Sequence, residues 1–99
     1  MKEITAEQLA KKIKNGESVN VIDVREDEEV AQGKIPGAKH IPLGEVPDRL
    51  DELDKGEHYY MVCRSGGRSG NAAQFLAEKG YDVTNMAGGM LDWKEEVQK

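Results

Sequence analysis

The stretch Tyr59-Tyr60-Met61-Val62-Cys63-Arg64-Ser65-Gly66-Gly67-Arg68-Ser69 runs an apolar strand into a glycine-rich turn, and a helical pattern follows at once. A strand that ends this way leaves successive backbone N–H groups pointing into one concavity, with the positive end of the next helix behind them. That concavity holds an anion. Arg64 and Arg68 add full charges at its rim, and Cys63, the chain's single cysteine, stands at its start. Amide donors, helix dipole and guanidinium groups all favour a thiolate there, so the thiol is expected to ionise early. Cys63 is the candidate nucleophile, and Arg64, Ser65, Gly66, Gly67, Arg68 and Ser69 form the candidate substrate-binding loop. Ser69 also reads as the N-cap of the following helix.

Outward from this loop, strand and helix patterns alternate. Thr5 with Gln8 makes a capping-box start, and Ala6, Leu9, Ala10 and Ile13 share one helical face before Asn15-Gly16 ends it. Val19 to Val24 is nearly continuous in β-branched residues, as in a strand covered on both faces. Glu26 to Gln32 predicts two helical turns closed by Gly33, with the acidic run Glu26 to Glu29 on a solvated face. Ala38 to Ile41 reads as a brief strand and Leu43 to Leu53 as a short helix limited by Pro47. After the loop, Ala72, Ala73, Phe75 and Leu76 supply a buried helical side that Gly80 terminates. Val83 marks a last strand near Asp82 to Asn85, and Met90, Trp93 and Val97 predict a terminal helix. Alternation of this kind favours a parallel α/β sheet, whose ligands bind at the carboxyl ends of the strands, where Cys63 lies.

Cys63 and Arg68 define a C-x4-R ring, one residue shorter than the C-x5-R loop with which cysteine phosphatases wrap a phosphate. The smaller ring has room for one extra sulfur atom on the cysteine. Three further segments stand in order along the chain: Asp23-Val24-Arg25, then Gly33-Lys34-Ile35-Pro36-Gly37-Ala38-Lys39-His40-Ile41-Pro42, then Gly88-Gly89 with Trp93. Together with the loop they resemble the rhodanese family of sulfurtransferases, from about Ile4 to Val97. Lys34 departs from the histidine commoner there, and Met86 from the usual leucine. The resemblance implies a single domain over 1–99. It also implies an α/β, three-layer fold with a small, mostly parallel central sheet flanked by helices on both faces.

It further implies a sulfurtransferase that moves a sulfane sulfur through a persulfide on Cys63, from a small anionic donor such as thiosulfate to cyanide, a thiol or a protein. No cofactor or metal is expected. The alternative is a persulfide carrier serving a partner protein with little turnover of its own. A phosphatase or arsenate reductase is disfavoured by the loop length. A sulfenic-acid sensor lacks a resolving cysteine in the chain. Asp23 and Arg25 are expected to pair structurally and support the loop from outside it.

Composition narrows the classes. A chain of 99 residues buries roughly 60–70% of its unfolded surface, enough for one core. A net charge of −5 lacks the basic face that nucleic acid requires. Surface acids screened beyond ~8 Å count for little against the local loop. No stretch of 18 apolar residues suggests a membrane span, and the first residues lack the apolar run of a signal peptide. An unpaired reactive thiol suits a reducing compartment, so the expected location is cytoplasmic. His40 and His58 lack metal-ligand spacing.

Overall fold

A computed structural model describes every residue from Met1 to Lys99. Five strands, β1 (Glu3–Thr5), β2 (Asn20–Asp23), β3 (Lys39–His40), β4 (His58–Val62) and β5 (Asp82–Ala87), form one sheet in the order β1-β5-β4-β2-β3. Every pairing is parallel. Three α-helices, α1 (Ala6–Lys14), α2 (Asp27–Ala31) and α3 (Gly67–Glu78), are joined by 3₁₀ segments at Leu43–Glu52 and Gly89–Asp92. The expected α/β class and flanking layers are present.

Strand alternation explains the two layers, because successive side chains leave a strand on opposite faces. On β4, Tyr59 and Met61 join the cluster that also holds Ala72, Ala73 and Leu76 of α3 and Val46 of the first 3₁₀ segment. Tyr60 and Val62 face the other way, toward Leu9 of α1, Met90 and Trp93. Cys63 continues the Tyr59–Met61 face and belongs to the α3 cluster. The period of two thus delivers its sulfur beneath the N-terminus of α3. Ile22, Met61 and Leu76 are almost wholly inaccessible, and each such side chain stabilises by roughly 1.5–3 kcal/mol relative to exposure.

The capping box at Thr5 forms as read, with Gln8 N–H donating to the Thr5 hydroxyl and Thr5 N–H to the Gln8 side chain, both at 3.0 Å. Other expectations need correction. β1, which no expectation covers, has three residues, too few to show a period. Leu43–Glu52 is 3₁₀ rather than α, broken at Arg49 two residues after Pro47. The terminal helix does not form: only Gly89–Asp92 makes a 3₁₀ turn. Beyond it the chain returns to Lys34, exchanging backbone hydrogen bonds of 3.0 and 2.8 Å with Gln98. The Lys34 ammonium also donates to the Ala38 carbonyl and the Gln98 side chain. This long-range pairing overrides the weak apolar spacing of Met90, Trp93 and Val97. No helix is long and apolar enough to cross a membrane.

Candidate active site

The turn after β4 begins α3 through Gly66, not Ser69. Gly66 is the N-cap, with φ of 105°, a left-handed conformation that glycine adopts without the cost a Cβ imposes. A side chain there would also press on the Gly88 amide at 3.2 Å. Ser69 is therefore the third helical residue, and its buried hydroxyl turns inward to the sulfur. Gly66 N–H donates to Cys63 Sγ at 3.0 Å, and the Ser69 hydroxyl lies 3.3 Å from the same atom.

Burial is the largest influence on the Cys63 thiol and pushes its pKa up. The Ser69 hydroxyl and the N–H groups of Ser69, Gly66 and Ser65 outweigh it, so the thiol sits below its ordinary value. Cys63 is 0% exposed. The amides prevail by contact, since each bond to sulfur is made in a dry place where it is strong.

A second turn buttresses the loop from below. Met90 N–H donates to the Cys63 carbonyl at 2.9 Å and Leu91 N–H to the Arg64 carbonyl at 3.0 Å. These bonds demand close backbone approach. A Cβ on Gly89 would lie 2.4 Å from the Arg64 carbonyl oxygen, so only glycine fits. The Gly88-Gly89 pair therefore sets the height of the loop's floor.

The two rim arginines differ. Arg68 grips Glu29 of α2 with both terminal guanidinium nitrogens, at 2.7 and 2.8 Å. Arg68 is the main reason that the Glu29 carboxyl is lowered to about 2, with the Glu26 amide and the Arg25 charge assisting against burial. Arg64 makes no ion pair and stands exposed. It borders an open depression of about 300 Å³ beside the loop, together with Arg25, Glu29, Gln32, Met90 and Leu91. A larger depression lies at the opposite end of the sheet among Lys2, Tyr81, Asp82 and Val83. Its walls hold no thiol.

Asp23 and Arg25 pair as expected. Arg25 Nε and one terminal nitrogen engage both carboxylate oxygens at 2.8–3.1 Å, and that same nitrogen donates to the Gly33 carbonyl at 2.8 Å. The pair is almost fully buried and clamps the end of β2 to the turn closing α2. It thereby holds Glu29 where Arg68 meets it.

Comparison with known proteins matches this architecture. A family profile described as "Rhodanese-like domain" covers residues 5–96. The chain belongs to the rhodanese-like family. Among its relatives, YtwF of Bacillus subtilis is 46% identical over 98 residues, which is 99% of this chain and 95% of that one. The sulfurtransferase of Allochromatium vinosum is 38% identical across 92% of this chain and 86% of its own. The thiosulfate sulfurtransferase PspE of Escherichia coli is 40% identical across 72% of this chain and 70% of its own. A crystal structure of a rhodanese-like domain protein from Staphylococcus aureus superposes over the full length of both chains, with a TM-score of 0.93 at 41% identity.

Within this rhodanese-like fold, Ser65, Gly66 and Ser69 face the Cys63 sulfur, Arg68 is turned to Glu29, and Arg64 borders the neighbouring depression with Arg25, the partner of Asp23. Two contributors escaped sequence reading. Glu29 was assigned to a solvated face, yet it anchors Arg68. Asn85 lies at the end of the predicted last strand, where Asp82 and Thr84 are polar as well, so residue type alone does not mark it. The histidines serve elsewhere: His40 Nε2 donates to the Arg25 carbonyl at 2.7 Å, and His58 sits between Asp82 and Thr84. No group of three or more His, Cys, Asp or Glu side chains is arranged to hold a metal ion.

Proposed function

We propose that this chain, acting as one rhodanese unit over 1–99, transfers a sulfane sulfur through a persulfide on Cys63. The observation that carries the reading is a lone thiol whose sulfur receives the Gly66 amide at 3.0 Å and neighbours the Ser69 hydroxyl at 3.3 Å. The Cys63 thiolate attacks the outer sulfur of thiosulfate, the sulfur–sulfur bond of the donor breaks, and sulfite leaves with the electron pair. The terminal sulfur of the persulfide carries the negative charge, and the loop amides receive it as they received the thiolate. A thiophilic acceptor then attacks that outer sulfur and restores the thiolate. Cyanide accepts it in an assay, and a thiol or a protein in the cell. Splitting one transfer into two steps is the gain of covalent catalysis. The reducing cytosol suits such a thiol.

Initial rates of thiocyanate formation from thiosulfate and cyanide test this. Parallel lines in double-reciprocal plots are the expected ping-pong pattern. A protein that takes one sulfur yet turns over only with a protein acceptor would instead be a carrier. A protein that neither forms thiocyanate nor gains a sulfur atom by mass from thiosulfate would remove both readings.

The arginines give a graded prediction. Arg64→Ala removes an exposed, unpaired cation, a contact worth roughly 0.4–1 kcal/mol, and should raise the thiosulfate KM about two- to fivefold with little change in kcat. Arg68→Ala should raise it more, because it also leaves the Glu29 carboxylate unneutralised beside an anion site. Steady-state kinetics of Arg68→Ala against Arg68→Ala/Glu29→Gln decides the point. Recovery in the double variant is expected, and equal losses would contradict the role given to Glu29.

A further inference from the structure

Asn85 is an almost wholly buried amide on β5, 3% exposed, and it meets the loop at two points. Its Nδ2 donates to the Gly66 carbonyl at 3.1 Å, and its Oδ1 lies 2.6 Å from the Ser69 hydroxyl oxygen. The amide orientation follows from chemistry. A carbonyl only accepts, so Nδ2 faces Gly66, and Oδ1 is left to accept from Ser69. A Cβ added at Gly70 would stand at ordinary contact distance, 3.4 Å, from Asn85 Nδ2, so helix α3 passes close beside the amide.

Ser69 has a single hydroxyl proton and three acceptors around it: Asn85 Oδ1 at 2.6 Å, the Gly66 carbonyl at 3.3 Å and Cys63 Sγ at 3.3 Å. The shortest contact takes the proton. A lone pair of the Ser69 oxygen is then turned toward the sulfur, ready to accept from a neutral S–H. When the sulfur carries charge, the same proton is needed on the other side. We propose that Asn85 is a positioning residue that competes with Cys63 for the Ser69 proton, holding that proton off the sulfur until the sulfur is anionic. The proposal rests on the reading of Cys63 as the reactive thiol. Asn85 touches neither donor nor sulfur, so it acts wholly through Ser69 and the loop.

The charged groups on the surrounding elements are Arg64 in the loop, Arg68 on α3 with Glu29 and Glu26 behind it, the Asp23–Arg25 pair at the end of β2, and Asp92 in the last 3₁₀ turn. None is altered in the test. The rate of iodoacetamide alkylation, followed by intact mass across pH, reads the thiolate fraction of Cys63 without any sulfur donor. Asn85→Leu keeps the shape but removes the competing acceptor, and should move the inflection down by about one pH unit, the size of one hydrogen bond to a charged group. Ser69→Ala should move it up. In the Ser69→Ala background, Asn85→Leu should then move nothing, since its route is gone. Asn85→Ser, too short to reach both partners, should repeat the downward shift if the leucine variant does not fold.

An upward shift for Asn85→Leu, or the same shift with and without Ser69, would make Asn85 a mere support of the loop and overturn the proposal. A wild-type thiol that titrates no lower than a free cysteine would instead overturn the reading of Cys63 itself. The two failures are thus told apart.

Discussion

Cys63→Ser should reduce thiosulfate-to-cyanide transfer to the background rate while leaving the unfolding transition close to that of the parent. A serine hydroxyl is far less acidic than a thiol and forms no persulfide, so both half-reactions lose their nucleophile. Serine is smaller and polar, yet it would still find the Gly66 amide, 3.0 Å from the present sulfur, and the Ser69 hydroxyl. Buried polar atoms that keep partners cost little. Thiocyanate formation and urea unfolding, measured on the same preparation, separate chemistry from fold. Transfer at near the parent rate would remove Cys63 from the reaction.

The largest loss of stability should follow from Asp23→Ala. Arg25 is 7% exposed at its side chain and Asp23 0%, so the substitution leaves a buried guanidinium without its carboxylate. Breaking such a pair costs roughly 3–5 kcal/mol. For a domain of this size each kcal/mol lowers Tm by roughly 4–8 °C, so a fall beyond about 10 °C is expected. Thermal unfolding followed by circular dichroism measures it. Asp23→Leu/Arg25→Met, which removes both charges, should recover part of the loss, since the penalty belongs to the unpaired ion. A single variant as stable as the parent would mean that Arg25 finds another partner.

The parts legible in the sequence were those written in adjacent residues. The β4 run and the Gly66-Gly67 turn specify strand, nest and helix within about a dozen positions, so Cys63 and its loop were readable from local chemistry alone. The continuous Val19–Val24 run similarly announced a strand with two covered faces, and Val21 and Ile22 do enter opposite clusters. Resemblance added order and family.

What escaped is tertiary. Glu29 and Arg68 are 39 positions apart, and Asn85 and Ser69 are 16 apart. No local period announces either contact. Ser69 was read as an N-cap from its residue type, but left-handed Gly66 starts the helix earlier and turns the hydroxyl to the sulfur. The terminal helix failed for the same kind of reason, since Lys34 captures Gln98 from across the chain. Full coverage of Cys63 was also unreadable, because it depends on packing with residues remote in sequence, Ile22 and Val24 among them.

The central claim is that the Cys63 sulfur, held by the loop amides, carries the transferred sulfur as a persulfide. Intact-mass analysis of the purified protein before and after thiosulfate, with the modified peptide mapped, tests it most directly. The account predicts a gain of one sulfur atom, located on Cys63, lost again on addition of cyanide and absent in Cys63→Ser. An unchanged mass in the presence of thiosulfate and other sulfane donors, with the thiol demonstrably reduced, would contradict it.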